Sequence, residues 1–337
     1  DPAALRSRVV EARLADALGE RNLVLDLFED VHVLAERRAV GHAGDRSWIG
    51  RVIGDQSGDV ALVARGGFVA GTIRLGQRSF RVRPIGGGRH VIEEIDASKL
   101  PACSSTEEQR IAAAASASAG DAQGAGGAAG TAPLSADGLP TVDVLVCHTP
   151  AARVAQGGTE AIEALIELAV LEANLAWEDS GIGFRLRLAG IEELQAEETT
   201  SFSTMLSDLR TNGDGWCAEV HQLREIYGAD LVSLVVAGQQ SCGIAYVMSN
   251  PSPGFGAWAF SVVARGCATG YYSFAHELGH NLGCHHDHLH SGTGAFPWSF
   301  GYHAPDERGR TIMAYAPGVR IRPFSNPQRT WHGEPTG

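Results

Sequence analysis

Over the first hundred residues, apolar and polar positions alternate in short runs broken by glycine turns. Residues 23–28 read as a strand. Residues 59–65 and 68–75, joined by Gly66-Gly67, read as a hairpin. Runs at 79–83 and 90–95 flank the Gly86-Gly87-Gly88 turn. This pattern predicts a small antiparallel β domain over residues 1–103. Residues 111–133 are almost wholly Ala, Gly and Ser, a composition that cannot build a core, so 104–139 is expected to be a flexible, exposed linker. Alanines favour a short helix near 107–117, and the glycines that follow argue against its continuation. From residue 140 the period changes. A continuous apolar run at 142–147 suits a buried strand. Ile162, Leu165, Ile166, Ala169, Val170 and Ala173 fall at helical spacing within 159–179. Strands follow at 184–188 and 231–236, with a helix near 217–227 between them. Further apolar runs at 242–248 and 259–263 precede a helix starting near Tyr271. Strand and helix in alternation predict a mixed α/β sheet, so the fold class is mixed: an N-terminal antiparallel β domain, then an α/β domain over 140–337.

The chain's 337 residues, 44% of them hydrophobic, suffice for two cores. No apolar run approaches the roughly 20 residues a membrane helix needs, and no leader peptide is visible at Asp1. The net charge of −12 is unevenly divided: residues 140–337 hold 21 of the 39 acidic residues but 11 of the 27 basic ones. An acidic domain is a poor binder of nucleic acid or anionic membrane. Gly86-Gly87-Gly88 lacks the strand–loop–helix setting and the Lys-Ser/Thr of a phosphate loop. Six cysteines with no Cys-x-x-Cys pair argue against a cysteine zinc knuckle and fit disulfides in an oxidising compartment. Six allow fifteen pairings. The favoured bridge is Cys242–Cys267, tying one strand to the segment that enters the helix near Tyr271.

Chemistry concentrates at residues 276–287, His-Glu-Leu-Gly-His-Asn-Leu-Gly-Cys-His-His-Asp. His276 and His280, four apart, share one face of a helix. Zinc accepts such imidazoles at about 2.0–2.1 Å in a tetrahedron. Gly283 allows the chain to leave the helix in a conformation other residues resist, which would bring His286 round as third ligand. Three protein ligands leave a fourth position open, the mark of a catalytic zinc site. Glu277, beside the first ligand, is placed to reach water there as general base. His285, His288 and His290 lack the ligand spacing and are expected to be solvated or supporting. Thr311-Ile312-Met313-Ala314-Tyr315 begins 25 residues beyond His286, where a tight turn would set Met313 under the metal.

Together these motifs resemble the metzincin clan of zinc peptidases. The whole C-terminal part is similar to its adamalysin (reprolysin) branch. The stretches Cys-Gly-Ile-Ala-Tyr, Tyr-Ser-Phe-Ala-His-Glu-Leu-Gly-His-Asn, Arg-Thr-Ile-Met-Ala-Tyr and Phe-Ser-Asn-Pro look closer still to bacterial secreted peptidyl-Asp metalloendopeptidases. The N-terminal part looks like their propeptide, notably at Trp48-Ile49-Gly50-Arg51 and from Pro84 to His90. The resemblance implies a secreted, monomeric zymogen, with protein or peptide substrates, one catalytic zinc and its own propeptide as inhibitor. Calcium is not readable from this sequence. It implies that Asp287 braces the helix end to the methionine turn, and that cleavage within 104–139 releases the mature enzyme. Cys103 would be the latency switch, a thiolate being a good fourth ligand; a disulfide with Cys217 and a carboxylate switch at Asp96 stay open. Tyr315 stands where some metzincin branches carry a catalytic tyrosine, though adamalysins generally do not; a packed tyrosine is the alternative. The pocket wall after the methionine turn, 317–323, holds Arg320 and Arg322, candidates for reading an Asp after the scissile bond, or else exposed strand arginines. Alternation would put both on one face. A binding or adhesion scaffold on a silent peptidase fold is the competing reading. It sits poorly with an intact Glu277 and three intact histidines.

Overall fold

The structure is a computed structural model that describes residues 2–11, 17, 19–38, 46–55, 57–103, 134–211, 216–306 and 308–337. The expected linker lies outside the described residues up to position 133, together with the short helix expected near 107–117.

The N-terminal part is one eight-stranded antiparallel sheet: β1 (Ala4–Glu11), β2 (Asn22–Phe28), β3 (Val31–Arg37), β4 (Ser47–Val52), β5 (Asp59–Arg65), β6 (Phe68–Leu75), β7 (Arg78–Gly86) and β8 (Arg89–Ile95). Its order, β1-β8-β7-β6-β5-β4-β3-β2, is a meander with the first strand laid beside the last. Both faces are buried along the middle strands. One face carries Leu27, Trp48, Ile73 and Phe80 in a core of its own. A Cβ on Gly50 would lie 2.3 Å from the Trp48 ring, so the Trp48-Ile49-Gly50 run needs its glycine for the indole to lie flat on the strand.

The C-terminal part opens with β9 (Thr141–His148), whose all-apolar centre matches a strand covered on both faces. Helix α1 (Pro150–Gln156) follows, with Thr149 accepting the Ala152 N–H as its cap and proline in the first turn. Then come α2 (Thr159–Ser180), β10 (Arg185–Glu193), α3 (Phe202–Arg210), α4 (Glu219–Tyr227), β11 (Leu231–Val236), β12 (Gly243–Ala245), β13 (Phe260–Ala264) and α5 (Ser273–Asn281). The sheet order is β10-β9-β11-β13-β12, parallel except for the β12 edge. Cys242 and Cys267 are bridged, joining the start of that edge strand to the approach to α5.

Helix α2 packs its Ala164, Leu168, Leu171 and Leu175 on Ile49, Ala61, Val63 and Ala70 of the N-terminal sheet, a shared apolar core between the two parts. Ion pairs frame it. Arg65 reaches Glu163 at 2.6 Å and also Glu167, and Arg38 reaches Glu178 at 2.5 Å. The acidic residues that set the charge of the C-terminal part therefore lie partly on α2, where arginines of the N-terminal sheet meet them. Within the interface, Glu172 is buried and accepts the Thr72 hydroxyl and the Gly270 N–H, the latter at 2.8 Å.

Candidate metal centre

Helix α5 is buried along its whole length, so its histidines point into protein rather than solvent. His276 and His280 sit one turn apart on one face. Gly283, at φ +93°, ends the helix in the left-handed region, with Ala295 and Met248 close enough to leave little space for a side chain. The chain then returns and brings in His286. The His286 Nε2 lies 3.2 Å from that of His276 and 3.0 Å from that of His280. The edges of a zinc–nitrogen tetrahedron with bonds of about 2.0–2.1 Å are about 3.3–3.4 Å, so the donor set fits the ion.

The outer ring nitrogens fix the tautomers. His276 Nδ1 faces the Ile312 carbonyl at 2.9 Å and His280 Nδ1 the Cys284 carbonyl at 2.8 Å. Carbonyls only accept, so each Nδ1 carries the proton and each Nε2 keeps its lone pair for a metal. Burial holds all three rings neutral: it pushes His276 well below its usual range, His280 to about 4 and His286 to about 2.

Glu277 is fully buried, and neither carboxyl oxygen has a nitrogen or oxygen donor. Burial raises it to about 8, against the opposing pull of the Cys103 thiol and the Arg320 charge. Room for this side chain comes from Gly243 on β12, where a Cβ would stand 2.4 Å from Glu277 Oε1. Below the histidines Met313 is buried, and a Cβ on Gly279 would lie 2.9 Å from its Sδ. The second glycine of the helix motif thus lets the methionine turn rise against α5. Asp287 Oδ2 accepts the Tyr315 N–H at 2.9 Å, while Oδ1 accepts from Leu289 N–H at 3.0 Å and His290 Nδ1 at 2.7 Å. Burial alone would raise this carboxyl, but the Tyr315 N–H and His290 outweigh it and hold it at about 2.

A family model described as Reprolysin_5, metallo-peptidase family M12, matches residues 139–325, the stretch that contains the three histidines, Glu277, Asp287 and Met313. The chain belongs to metallopeptidase family M12. The peptidyl-Asp metalloendopeptidase of Xanthomonas campestris pv. campestris is 33% identical over 357 residues, covering 100% of this chain and 82% of that protein. That of Stenotrophomonas maltophilia (strain R551-3) is 34% identical over 291 residues, covering 84% of this chain and 66% of that protein. The chain thus matches just under two thirds of the Stenotrophomonas protein. Among solved structures, metalloproteinase-II from Bacteroides fragilis aligns at a TM-score of 0.45 and 12% identity, over 87% of this chain and 84% of that one. Membership of the M12 metallopeptidases implies a zinc cofactor, in keeping with the donor set.

In this M12 chain the end of the N-terminal part enters the metal centre. The Ala102 carbonyl accepts the Cys242 N–H at 3.2 Å and the Ser241 hydroxyl at 3.0 Å, just ahead of β12. Ligand atoms of Cys103, His276 and Glu277 all lie within 4.8 Å of one another. Burial raises the Cys103 thiol far above its ordinary range, and the Glu277 charge adds to the effect. The disulfide with Cys217 is not formed: Cys217 neighbours Cys147 instead. Asp96 caps the short turn Ala97–Lys99 by accepting the Ser98 N–H at 3.0 Å. The Tyr315 hydroxyl donates to the Cys103 carbonyl at 2.8 Å, and its ring centroid lies 4.1 Å from that of His286. His285 and His288 pack near Phe300.

The two candidate pocket arginines separate. The short ladder of β14 (Gly309–Arg310) and β15 (Val319–Arg320) ends at Arg320, so strand alternation does not carry on to Arg322. Arg320 donates to the Tyr271 carbonyl at 3.1 Å, and its charge adds to the burial that keeps His276 neutral. Arg322 donates to Asp179 at 2.7 Å and pairs with Asp59, across the interface with the N-terminal sheet. Sequence reasoning missed Gly243, Tyr271 and Arg310. The first had a signal in its place within Cys-Gly-Ile-Ala; the other two are defined only by the fold around them.

Proposed function

We propose that this chain is the latent form of a secreted, monomeric zinc endopeptidase that hydrolyses peptide bonds on the N-terminal side of Asp, with residues 1–103 as its inhibitor. The convergence of three neutral Nε2 atoms beside a buried Glu277, whose one hydrogen-bond donor is the Cys103 thiol, supports the hydrolytic part. When bound, zinc supplies Lewis acidity, which acidifies water and polarises a carbonyl. His276, His280 and His286 would hold it. Glu277 takes a proton from attacking water and passes it to the leaving amine, a task suited to a carboxyl whose burial raises its proton affinity. Asp287 and Met313 keep the third histidine and the helix in register. Tyr315, freed of the Cys103 carbonyl, has a hydroxyl available to a substrate oxyanion.

Latency follows from the Cys103 thiol beside His276 and Glu277 and from Ala102 bound at the start of β12. A substrate backbone laid along β12 would meet this segment at the start of the strand. Preference for Asp rests on the names of the two relatives. The test is digestion of a denatured protein by the purified full chain, before and after cleavage in the linker, with Glu277→Ala as control and products mapped by mass spectrometry. Chelator-sensitive cuts before Asp that appear only after linker cleavage are the expected outcome. Stoichiometric zinc with no cleavage in either state would favour the binding-scaffold reading.

A further inference from the structure

Arg310 and Arg320 are register partners in the β14–β15 ladder, and both are buried, with 5% and 6% exposure. Like charges directly opposite destabilise a strand pair, and burying two cations without a counter-ion costs more again. Their partners are nevertheless neutral. Arg310 donates through Nε to the Gly318 carbonyl at 2.9 Å, through Nη2 to the Tyr271 hydroxyl at 3.1 Å, and through Nη1 to the Ala314 carbonyl. Arg320 donates to the Tyr271 carbonyl, and its Nε has no acceptor. Both guanidinium groups lie over the Tyr271 ring, at 5.9 and 4.3 Å from its centroid. Among the described residues neither arginine is in an ion pair. Arg322, two positions on, is held by two carboxylates.

Both arginines line a cavity of about 790 Å³ together with Tyr271, Tyr315 and Ala102. Tyr315 packs on His286, and Ala102 precedes the thiol at the metal centre, so the cavity opens beside the hydrolytic site. The carboxylates in its wall, Glu94 and Asp96, belong to the N-terminal part and are already engaged. Glu94 is paired with Arg78 and Arg6, each at 2.7 Å, and Asp96 with Ser98. Departure of the N-terminal part, which supplies 13 of the 23 lining residues, would remove both and leave two adjacent guanidinium groups facing the space it vacates.

We propose that Arg310 and Arg320 act together as a clamp for a substrate carboxylate, the aspartate side chain that follows the scissile bond. This rests on the endopeptidase reading above and assigns its specificity to a pair of residues. A site built for a charged, hydrogen-bonding side chain discriminates steeply against an analogue that leaves its groups unpaired, by about 10⁴–10⁵ in strong cases. Asn in place of Asp is such an analogue.

The test uses protein folded as the full chain, cleaved in the linker and freed of its N-terminal part. Its kcat/KM is measured on peptides that differ only in Asp or Asn after the scissile bond. Arg310→Gln and Arg320→Gln are each expected to lower the Asp-to-Asn ratio about a hundredfold or more, with zinc content and melting temperature near wild type. Arg322→Gln should leave the ratio unmoved. Arg310→Lys, which keeps the charge but loses the fork, should fall between. Should Arg310→Gln fail to fold, Arg320→Gln carries the test, since its guanidinium holds a single backbone carbonyl. A second arm measures binding of an Asp-containing peptide to the Glu277→Ala protein by calorimetry, with and without Arg320→Gln. Binding that needs Arg320 in a protein whose Glu277-intact parent cuts nothing would uphold the pocket while refuting the endopeptidase reading. Variants that cleave and keep the wild-type Asp-to-Asn ratio would overturn the pocket, as would a wild-type enzyme indifferent to Asp.

Discussion

Glu277 and Gly243 illustrate how a reactive carboxyl is given room, with the Cys103 thiol as its one hydrogen-bond donor. A strand glycine faces it at a distance no side chain could share. Gly243→Ala should therefore displace Glu277 rather than unfold the domain: kcat is expected to fall at least tenfold, with zinc stoichiometry intact, measured on the cleaved enzyme. Loss of zinc together with activity would show instead that the substitution disrupts α5. Tyr315 gives a second test. If its hydroxyl supports the oxyanion, Tyr315→Phe lowers kcat with little change in KM, and an unchanged kcat excludes the role. The same substitution removes the hydrogen bond to the Cys103 carbonyl, so the uncleaved chain should gain background activity if that bond contributes to latency. The His276, Glu277, His280 and His286 set was legible because its chemistry dictates spacing on a helix. Arg310 was not, because a lone arginine has no pattern. Only the pairing with Arg320 and the shared Tyr271 ring give it meaning.

At the scale of elements, strands with clear alternation or a wholly apolar run were readable from the sequence. β5, β6 and β11 span 59–65, 68–75 and 231–236, as their patterns predict. β1 was not, since most of its residues are exposed and charges interrupt the alternation; its place beside β8 is decided by pairing between distant segments. Helices α1 and α3, seven and nine residues long, also went unread. Their ends are set by Thr149 and Ser201 caps, which are weak signals beside a long apolar period. Helix α2 was readable throughout, yet what covers it was not. Its buried apolar stripe and acidic flank are shared between its own domain and the N-terminal sheet.

For the whole molecule, that interface carries a proton-linked term. Burial raises Glu172 to about 7, although Thr72 and the Gly270 N–H favour its charged form. Asp59 pushes in the same direction as burial and Arg322 against it; Tyr272 and Arg74 lie close by. Once the N-terminal sheet leaves, Glu172 faces water and returns towards the usual range of about 4.3. Its protonated form is thus favoured in the complex. The contribution is full below the free value, is lost as pH rises through about 7, and each unit separating the two values is worth about tenfold in affinity. After linker cleavage, the two parts should dissociate more readily at pH 8 than at pH 5, as measured by gel filtration or surface plasmon resonance. Glu172→Gln should flatten that dependence. A pH-independent affinity in the unsubstituted protein would remove Glu172 as its source.

If the chain cuts proteins as proposed, the β12 edge, at whose start Ala102 accepts hydrogen bonds from Cys242 and Ser241, would bear on which of them it can cut. An edge strand accepts only a backbone that is already extended, with its own N–H and C=O groups unspent. A helix or an inner sheet strand has none to offer. A bond ahead of Asp inside a folded domain would be invisible to such a cleft, whatever its side chain, whereas the same bond in a loop, a terminus or a partly denatured chain would be open to it. Such an enzyme would act less as a cutter of sequence than as a detector of lost structure.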